Sequence, residues 1–225
     1  MNENSNIALE KLRVLIAEYE DASKKLLPTI ADLAKMFGVG QRAVRRALSV
    51  LEAEGLLEVT QGVGVTIGAS IRTFKRAKSP LKFESIVEVM QVRFFFEPHL
   101  CRLAATNMQQ TNISRLLRAQ QALTKAEDMD EAELWDGTFH REIAIATNSP
   151  LLLSLFDQIN LIRKSNEWRE VRNTFRDTEH MQRNHNDHQQ ILSALIQKDG
   201  AKAADAMEAH IGRLLGQLIS KSTEG

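Results

Sequence analysis

Residues 37–59 read FGVGQRAVRRALSVLEAEGLLEV, and this stretch decides the fold of the first part of the chain. Its middle carries apolar residues at the spacing of a helix, namely Val44, Ala47, Leu48 and Leu51. The glycine-containing turn Phe37–Gly40 lets a preceding helix cross this one sharply. Arg42, Arg45 and Arg46 lie on the other side of the predicted helix, with no acid among them. Such a helix fits the major groove of DNA, where arginine donates two hydrogen bonds to guanine or pairs with phosphate.

The flanking segments complete a small domain. Helical spacing and β-prone runs predict four further elements: helices over Ile7–Tyr19 and Thr29–Phe37, and strands over Leu56–Thr60 and Val63–Ile67. Gln61 and Gly62 separate the strands and predict a hairpin. We therefore expect residues 1–67 to form a winged helix-turn-helix domain. The residues predicted to contact DNA are Thr29, Gln41, Arg42, Arg45, Arg46, Ser49 and Gly62.

A basic, turn-rich stretch, residues 68–82, predicts a linker, and everything after it has helical periodicity. The long pattern over Phe83–Asn107 is predicted to be interrupted at Glu97-Pro98. Short loops separate the helices that follow: Asn112–Asp128, Asp130–Thr147, Leu151 to about Val171, about Thr174 to Lys198, and Ala201–Ser220. Six helices with short loops predict an antiparallel bundle over residues 83–225, in a mainly α protein.

The composition limits the classes of function. The 29 basic and 29 acidic side chains give a formal net charge of zero, so contact with DNA requires a local patch. Cys101 is the only cysteine, which excludes an internal disulfide and fits a reducing compartment. The polar start of the chain is not a signal-peptide pattern, and no apolar run approaches the roughly 18 residues that span a bilayer. We expect a cytoplasmic protein with no membrane partner.

Four residues in the second half have the spacing of a metal site. Asp136 and His140 are four residues apart on one predicted helix, so both project from one face. His188 and His210 lie eleven residues before and after Asp199. If a turn at Asp199 joins antiparallel helices, the two histidines reach the same height, about 16 Å from the turn. One carboxylate and three imidazoles suit a divalent ion such as zinc, nickel or manganese, with positions open for water or a ligand.

Each of these groups also has an ordinary structural interpretation. An arginine-rich helix face is often simply solvated. Single histidines on amphipathic helices are usually partly exposed or hydrogen-bonded within a core.

Several short motifs in the first 67 residues resemble the winged-helix domain of GntR-family regulators: Leu27-Pro28, Asp32-Leu33-Ala34, Phe37-Gly38-Val39, Val44 to Leu48, and Leu51 to Leu56. The chain departs from the family pattern at Ala31, where an arginine is usual, and at Gly40-Gln41, where Ser-Arg is usual. Its wing carries Gly62-Val63-Gly64 in place of Gly-Arg-Gly. The resemblance implies DNA binding, with an altered readout of the operator.

The second half resembles the FCD ligand-binding domain of the FadR subfamily. The motifs are Arg93 with Glu97-Pro98 and Leu103 to Ala105, Asp136-x3-His140 before Asn148 to Leu151, His188 with Ile191-Leu192, and Ala203 to His210. In many such domains the matching Asp and three His positions bind a divalent metal, and all four are present here. The resemblance further implies a homodimer that binds operator DNA through its first domain and a small organic acid through its second.

A cation with open positions favours an anionic oxygen ligand, so we expect a small carboxylate effector. Arg93 and Arg163 are its predicted anion partners, although a surface salt bridge is the alternative for both. We expect a repressor in which the effector changes the spacing of two DNA-binding heads on a palindromic site.

Two other functions are compatible with these residues. A metal-dependent hydrolase could use the same ligands, but no motif supplies a general base or nucleophile, and such an enzyme has no need of a winged helix. A DNA-binding dimer could also carry a purely structural bundle. Metal analysis of the purified protein separates that interpretation from a sensor.

Overall fold

The computed structural model describes residues 4–18, 26–60, 64–67, 85–162, 168 and 178–222, without the side chains of 178–181, 221 and 222. The chain divides into two compact units. The first consists of residues 1–75 and 125–138, and the second of residues 76–124 and 139–225. The domain boundaries expected from the sequence, at residues 67 and 83, stay predictions, because the predicted linker lies outside the described residues.

Three helices open the first unit: α1 (Ser5–Glu18), α2 (Ile30–Phe37) and α3 (Gln41–Ala53). Thr29 caps α2, since its Oγ1 accepts the backbone N–H of Asp32 at 3.2 Å. Gly38 ends α2 in the left-handed conformation, with φ 69°, where a side chain would be strained. These two local signals produce the helix-turn-helix that the sequence predicted.

A two-stranded antiparallel sheet follows, formed by β1 (Leu57–Thr60) and β2 (Gly64–Ile67). Leu57 lies opposite Ile67, and both side chains are buried. Leu27 extends the pairing, because its N–H donates to the carbonyl of Val65 at 2.8 Å. The strands are the predicted wing, but the turn at residues 61–63 lies outside the described residues. The core beneath is formed by buried apolar side chains of all these elements, among them Leu12, Leu33, Val44, Leu51, Leu57 and Ile67.

Helices form the rest of the described chain: α4 (Ile86–Asn107), α5 (Gln110–Thr124), α6 (Met129–Ala146), α7 (Pro150–Leu161), α8 (Thr178–Ile196) and α9 (Gly200–Ser222). The predicted extension of α7 to about Val171 falls on residues outside the description, apart from Trp168. No helix within the described ranges has the length and apolarity needed to cross a membrane.

Helix α4 is continuous through Pro98, so the predicted interruption at Glu97-Pro98 is wrong. A proline inside a helix removes one backbone hydrogen bond and crowds the preceding turn. Here Glu97 and Pro98 are both buried, and burial of the flanking apolar residues Leu100 and Cys101 stabilises the helix against that loss. The continuity keeps Arg93 and Glu97 one turn apart on one face.

Two glycines of α9 allow it to approach α4 closely. A Cβ at Gly200 would lie 3.0 Å from the carbonyl oxygen of Arg102, and one at Gly212 would lie 3.0 Å from the ring of Phe94. Both distances are tighter than ordinary packing. The close approach packs α9, which carries His210, directly against α4, which carries Glu97.

Candidate functional site

One face of α3 carries the side chains that the sequence assigned to DNA. Gln41, Arg42, Arg45 and Ser49 are all exposed there, and Ser49 donates to the carbonyl of Arg45 at 3.1 Å. Arg45 makes no ion pair with any residue in the described part of the chain. Thr29, at the start of α2, is exposed as well, whereas Gly62 lies outside the described residues.

The other two arginines of α3 are held by an acidic segment, which we define as Glu127, Asp128, Asp130 and Glu131. Arg42 pairs with Glu127 at 2.6 Å and with Asp128 at 3.5 Å. Arg46, only 7 % exposed, pairs with Asp128 at 2.8 Å, Glu131 at 3.1 Å and Asp130 at 3.5 Å. Arg46 is therefore surrounded by carboxylates rather than presented to solvent.

These ion pairs shift the ionisation of both partners. Burial alone would raise the pKa of Asp128, but the hydrogen bond from Arg46 lowers it below its ordinary value. Burial would lower the pKa of Arg46, but the hydrogen bond and charge of Asp128 raise it. Both groups are charged at neutral pH, so the contact is an ion pair between a guanidinium and carboxylates.

The acidic segment is fixed by its own hydrogen bonds within the first unit. The carboxylate of Asp130 accepts the backbone N–H of Ser5 at 3.2 Å and also accepts its hydroxyl. Asp128 accepts the N–H of Glu131 at 3.0 Å, as the cap of α6. The carboxylates facing α3 are thus held in place by α1 and by the first turn of α6.

Three buried histidines converge in the second unit. His140 of α6, His188 of α8 and His210 of α9 are each at most 1 % exposed, and one ligand atom from each lies within 4.8 Å of the others. Their ring centroids are 4.9–5.5 Å apart. The equal spacing of His188 and His210 from the turn at Asp199 brings them together as the sequence predicted.

Carboxylates bind the Nδ1 atoms of two of these rings. Glu97 lies 2.5 Å from Nδ1 of His140, and Asp187 lies 3.0 Å from Nδ1 of His210. Nε2 of His140 is buried, and it has no hydrogen-bond partner among the residues that the structure describes. When the proton is on Nδ1, this buried nitrogen carries a lone pair, which a metal ion can accept.

His188 is oriented by stacking. Its ring lies 4.3 Å from that of Phe139, centroid to centroid, with 6° between the planes. Phe139 immediately precedes His140 on α6, so one helix supplies a ligand and the surface against which a second ligand packs.

Glu97 is ionised in this environment. Burial alone would raise the pKa of its carboxyl group, but the charge of Arg93 and the hydrogen bonds from His140 and Arg93 lower it well below the ordinary range. Cys101, one turn further along α4, has its thiol pKa raised by burial and by the charge of Glu97. A neutral thiol beside a buried carboxylate leaves the negative charge on Glu97.

Three imidazoles that each offer a ring nitrogen within 4.8 Å of the other two form a set that fits a borderline divalent metal ion. Asp136, the fourth predicted ligand, is buried and lies one turn before His140 on α6. Its carboxylate is not among the ligand atoms that lie within 4.8 Å of one another. A metal role for Asp136 stays a prediction.

Two family descriptions match the chain. Residues 5–67 match the bacterial regulatory proteins of the gntR family, and residues 88–213, more than half of the chain, match the FCD domain. The chain belongs to the GntR family. Its FCD domain fits the FadR subfamily, and its predicted fold of a winged helix-turn-helix with a helical domain is confirmed.

Named relatives agree with this assignment. The Uxu operon transcriptional regulator of Escherichia coli K12 is 31% identical over 204 residues, covering 87% of this chain and 79% of the relative. The HTH-type transcriptional repressor NanR of Salmonella schwarzengrund is 27% identical, and the match covers 92% of this chain and 81% of the relative. A solved structure, Streptococcus agalactiae GntR, has the same fold, with a TM-score of 0.50 and 23% identity. The match covers 94% of this chain and 98% of that chain. This GntR protein is a DNA-binding transcriptional regulator and not an enzyme.

Within the FCD domain, Arg93 is already paired. Its Nε lies 2.5 Å from Glu97, and its guanidinium carbon lies 5.8 Å from the ring centroid of Trp168. Arg93 is 5 % exposed, so it faces the interior, where its partner is a protein carboxylate. Arg163, the other predicted effector contact, lies outside the described residues.

The sequence did not predict the carboxylates behind the histidines in this GntR protein. Glu97 belonged to a recognised motif but had no assigned role, and neither Asp187 nor Arg213 was singled out. A signal was present: Arg93 and Glu97 have the i, i+4 spacing of a helical ion pair, and Arg213 lies on the same face of α9 as His210.

Proposed function

We propose that this GntR protein is a repressor that binds a palindromic operator as a homodimer and senses a small carboxylate at a divalent metal ion in its FCD domain. The observation that carries the proposal is the convergence of three buried histidines in a chain whose first unit is a winged helix-turn-helix. Acting on chromosomal DNA, such a protein works in the cytoplasm.

At the DNA end, we assign the leading contact to Arg45, supported by Gln41, Ser49 and Thr29, because these side chains are exposed. Residues at the start of a recognition helix reach base edges, and arginine there reads guanine. Arg42 can contribute where its carboxylate partners release it. Arg46 is assigned to holding the acidic segment, because it is buried among carboxylates.

At the sensor end, His140, His188 and His210 would hold the metal. Zinc, nickel and manganese all accept imidazole nitrogen, and three protein ligands leave positions open. When bound, the ion would attract an anionic oxygen, which is the chemistry that a carboxylate effector offers. Since Arg93 is paired with Glu97, we assign recognition of the effector to the metal rather than to Arg93. Arg163 and Asp136 remain predicted contributors.

Regulation requires the effector to bind two states of the dimer unequally. A tenfold loss of operator affinity corresponds to about 1.4 kcal/mol of differential binding, which a single metal–carboxylate contact can supply. Repression is proposed because one relative is named a repressor. In this proposal the effector acts as an inducer, which releases the operator.

The experiment that tests this function is a pull-down of sheared genomic DNA at near-physiological salt with the full chain. Recovery of a few discrete fragments, followed by their release on addition of a metal and one member of a panel of small carboxylates, supports a sensor. Discrete fragments with metal-free protein and no carboxylate response would favour a bundle that only dimerises. No enrichment over bulk DNA with or without metal would contradict the proposal.

A further inference from the structure

Two carboxylates in the FCD domain each join a histidine of the cluster to an arginine. Glu97 contacts Nδ1 of His140 through one oxygen and Nε of Arg93 through the other, both at 2.5 Å. Asp187 contacts Nδ1 of His210 at 3.0 Å and Nη2 of Arg213 at 2.7 Å. The same three-part arrangement therefore occurs twice around one cluster, on different helices.

The arrangement fixes which ring nitrogen faces the centre. A neutral imidazole has one N–H, and a carboxylate acceptor at Nδ1 places the proton there. The lone pair then lies on Nε2, where it can bind a metal ion. For His140, Nε2 is the buried nitrogen that has no hydrogen-bond partner within the described residues.

We propose that Glu97 and Asp187 are positioning residues for a metal ion held by His140 and His210, and that Arg93 and Arg213 hold these carboxylates in place. The inference rests on the proposed metal site and adds to it the residues that set the affinity. It also gives Arg93 a role distinct from binding the effector.

The two carboxylates differ in burial, and this difference predicts unequal effects. The side chain of Glu97 is 3 % exposed, whereas that of Asp187 is 24 % exposed. Water can replace part of what Asp187 supplies, but it cannot reach His140. Loss of a group that orients a metal ligand typically weakens metal binding by about 10- to 100-fold. We expect Glu97→Gln near the upper end of this range and Asp187→Asn near the lower end.

A matched control lies on the same helix as His140. Glu142 is a buried carboxylate, 2 % exposed, that accepts a hydrogen bond from Asn112 at 2.9 Å. It lies two residues after His140, on the opposite side of α6. Glu142→Gln therefore removes a buried charge, as Glu97→Gln does, from the side of α6 opposite His140.

The experiment measures the zinc dissociation constant of the full chain by competition with a fluorescent chelator, after metal removal. We expect losses of about 100-fold for Glu97→Gln, about 10-fold for Asp187→Asn and less than twofold for Glu142→Gln. The cobalt-substituted protein adds a spectroscopic test, because its visible absorption reports the ligand geometry. We expect Glu97→Gln to change that spectrum and Glu142→Gln to leave it unchanged.

Thermal unfolding of the metal-free variants separates positioning from general stability. Equal losses of zinc affinity in Glu97→Gln and Glu142→Gln would overturn the inference, as would unchanged affinity in both Glu97→Gln and Asp187→Asn. If Glu97→Gln does not fold, Asp187→Asn and Arg213→Met decide the question on their own. A wild-type chain that binds no zinc, cobalt, nickel or manganese would instead overturn the proposed metal site itself.

Discussion

Carboxylates surround the functional side chains in both units, but they bind them at different places. In the second unit, Glu97 and Asp187 contact the Nδ1 atoms of His140 and His210, on the side of each ring away from Nε2. In the first unit, the acidic segment contacts the guanidinium N–H groups of the recognition helix, including those of Arg46.

The two units differ in whether the carboxylate leaves available the atom that would bind the metal or the DNA. A histidine bound at Nδ1 still offers Nε2 to a metal, so the carboxylate supports binding. An arginine binds DNA through the same N–H groups that donate to the acidic segment. Those carboxylates therefore compete with phosphate and base oxygens for Arg42 and Arg46. We expect acids to strengthen function in the second unit and to weaken it in the first.

The largest effect should follow removal of a histidine of the cluster. His188→Ala deletes a ligand rather than a group behind one, so we expect zinc affinity to fall by more than the roughly 100-fold upper bound for supporting residues. Competition with a chelator measures this. His99→Ala is the control, since His99 is exposed on α4 and its ring hydrogen-bonds to the carbonyl of Phe95. Equal zinc affinities for the two variants would contradict a metal site that includes His188.

The next effect concerns the arginine of α3 that is not held by the acidic segment. Arg45→Ala should weaken binding to a recovered operator by about 10- to 100-fold, because an arginine contact to a base is worth about 1–3 kcal/mol. Fluorescence anisotropy at fixed salt measures it. Arg118→Ala removes the same charge from an exposed site on α5.

Arg118→Ala should leave operator affinity within twofold of wild type. A loss in that variant as large as in Arg45→Ala would mean that net charge alone governs binding. If Arg45 contacts phosphate instead of a base, its loss should weaken binding to all DNA sequences alike. It should also reduce the slope of log affinity against log salt concentration by about one.

The sequence predicted the elements and the histidine cluster because both depend on spacing along one or two helices. His188 and His210 are equally far from one turn, and α-helical rise then places them at one level. The charged partners were not predictable in this way. Arg46 and Asp128 are 82 residues apart in the chain, so only tertiary packing brings them together. Local spacing assigned Arg46 to a solvent-facing surface that packing then covered with carboxylates.

Pro98 shows the same limit. Its backbone chemistry predicts a break in α4, and that prediction is correct for an isolated helix. The buried environment of Glu97 and Pro98 overrides it, and no short pattern in the sequence encodes that environment.

Neutralising the acidic segment should have a moderate effect of opposite sign. The double variant Glu127→Gln and Asp128→Asn removes two carboxylate charges that pair with Arg42 and one of those that pair with Arg46. Exposed ion pairs are worth about 0.2–1 kcal/mol, so we expect operator affinity to rise by roughly two- to fivefold, with a steeper salt dependence. The control, Asp205→Asn with Glu208→Gln, removes the same charges from exposed positions of α9. Weaker binding in the first double variant would show that the acidic segment supports the recognition helix instead of competing with DNA.

The smallest effect is the pH dependence of the ion pair between Arg46 and Asp128. The folded-state pKa of Asp128 lies below its ordinary value, so the pair contributes stability above that ordinary value and loses it as the pH falls through the lowered one. Because Asp128 is 36 % exposed, solvent screening limits this to a few tenths of a kcal/mol. Urea unfolding should therefore show Asp128→Asn slightly less stable than wild type at pH 6, with the difference shrinking towards pH 3. The difference for Ser49→Ala, which changes no titratable group, should stay constant over this range. A difference for Asp128→Asn that grows on acidification would show that the carboxylate is not stabilised by Arg46 in the folded protein.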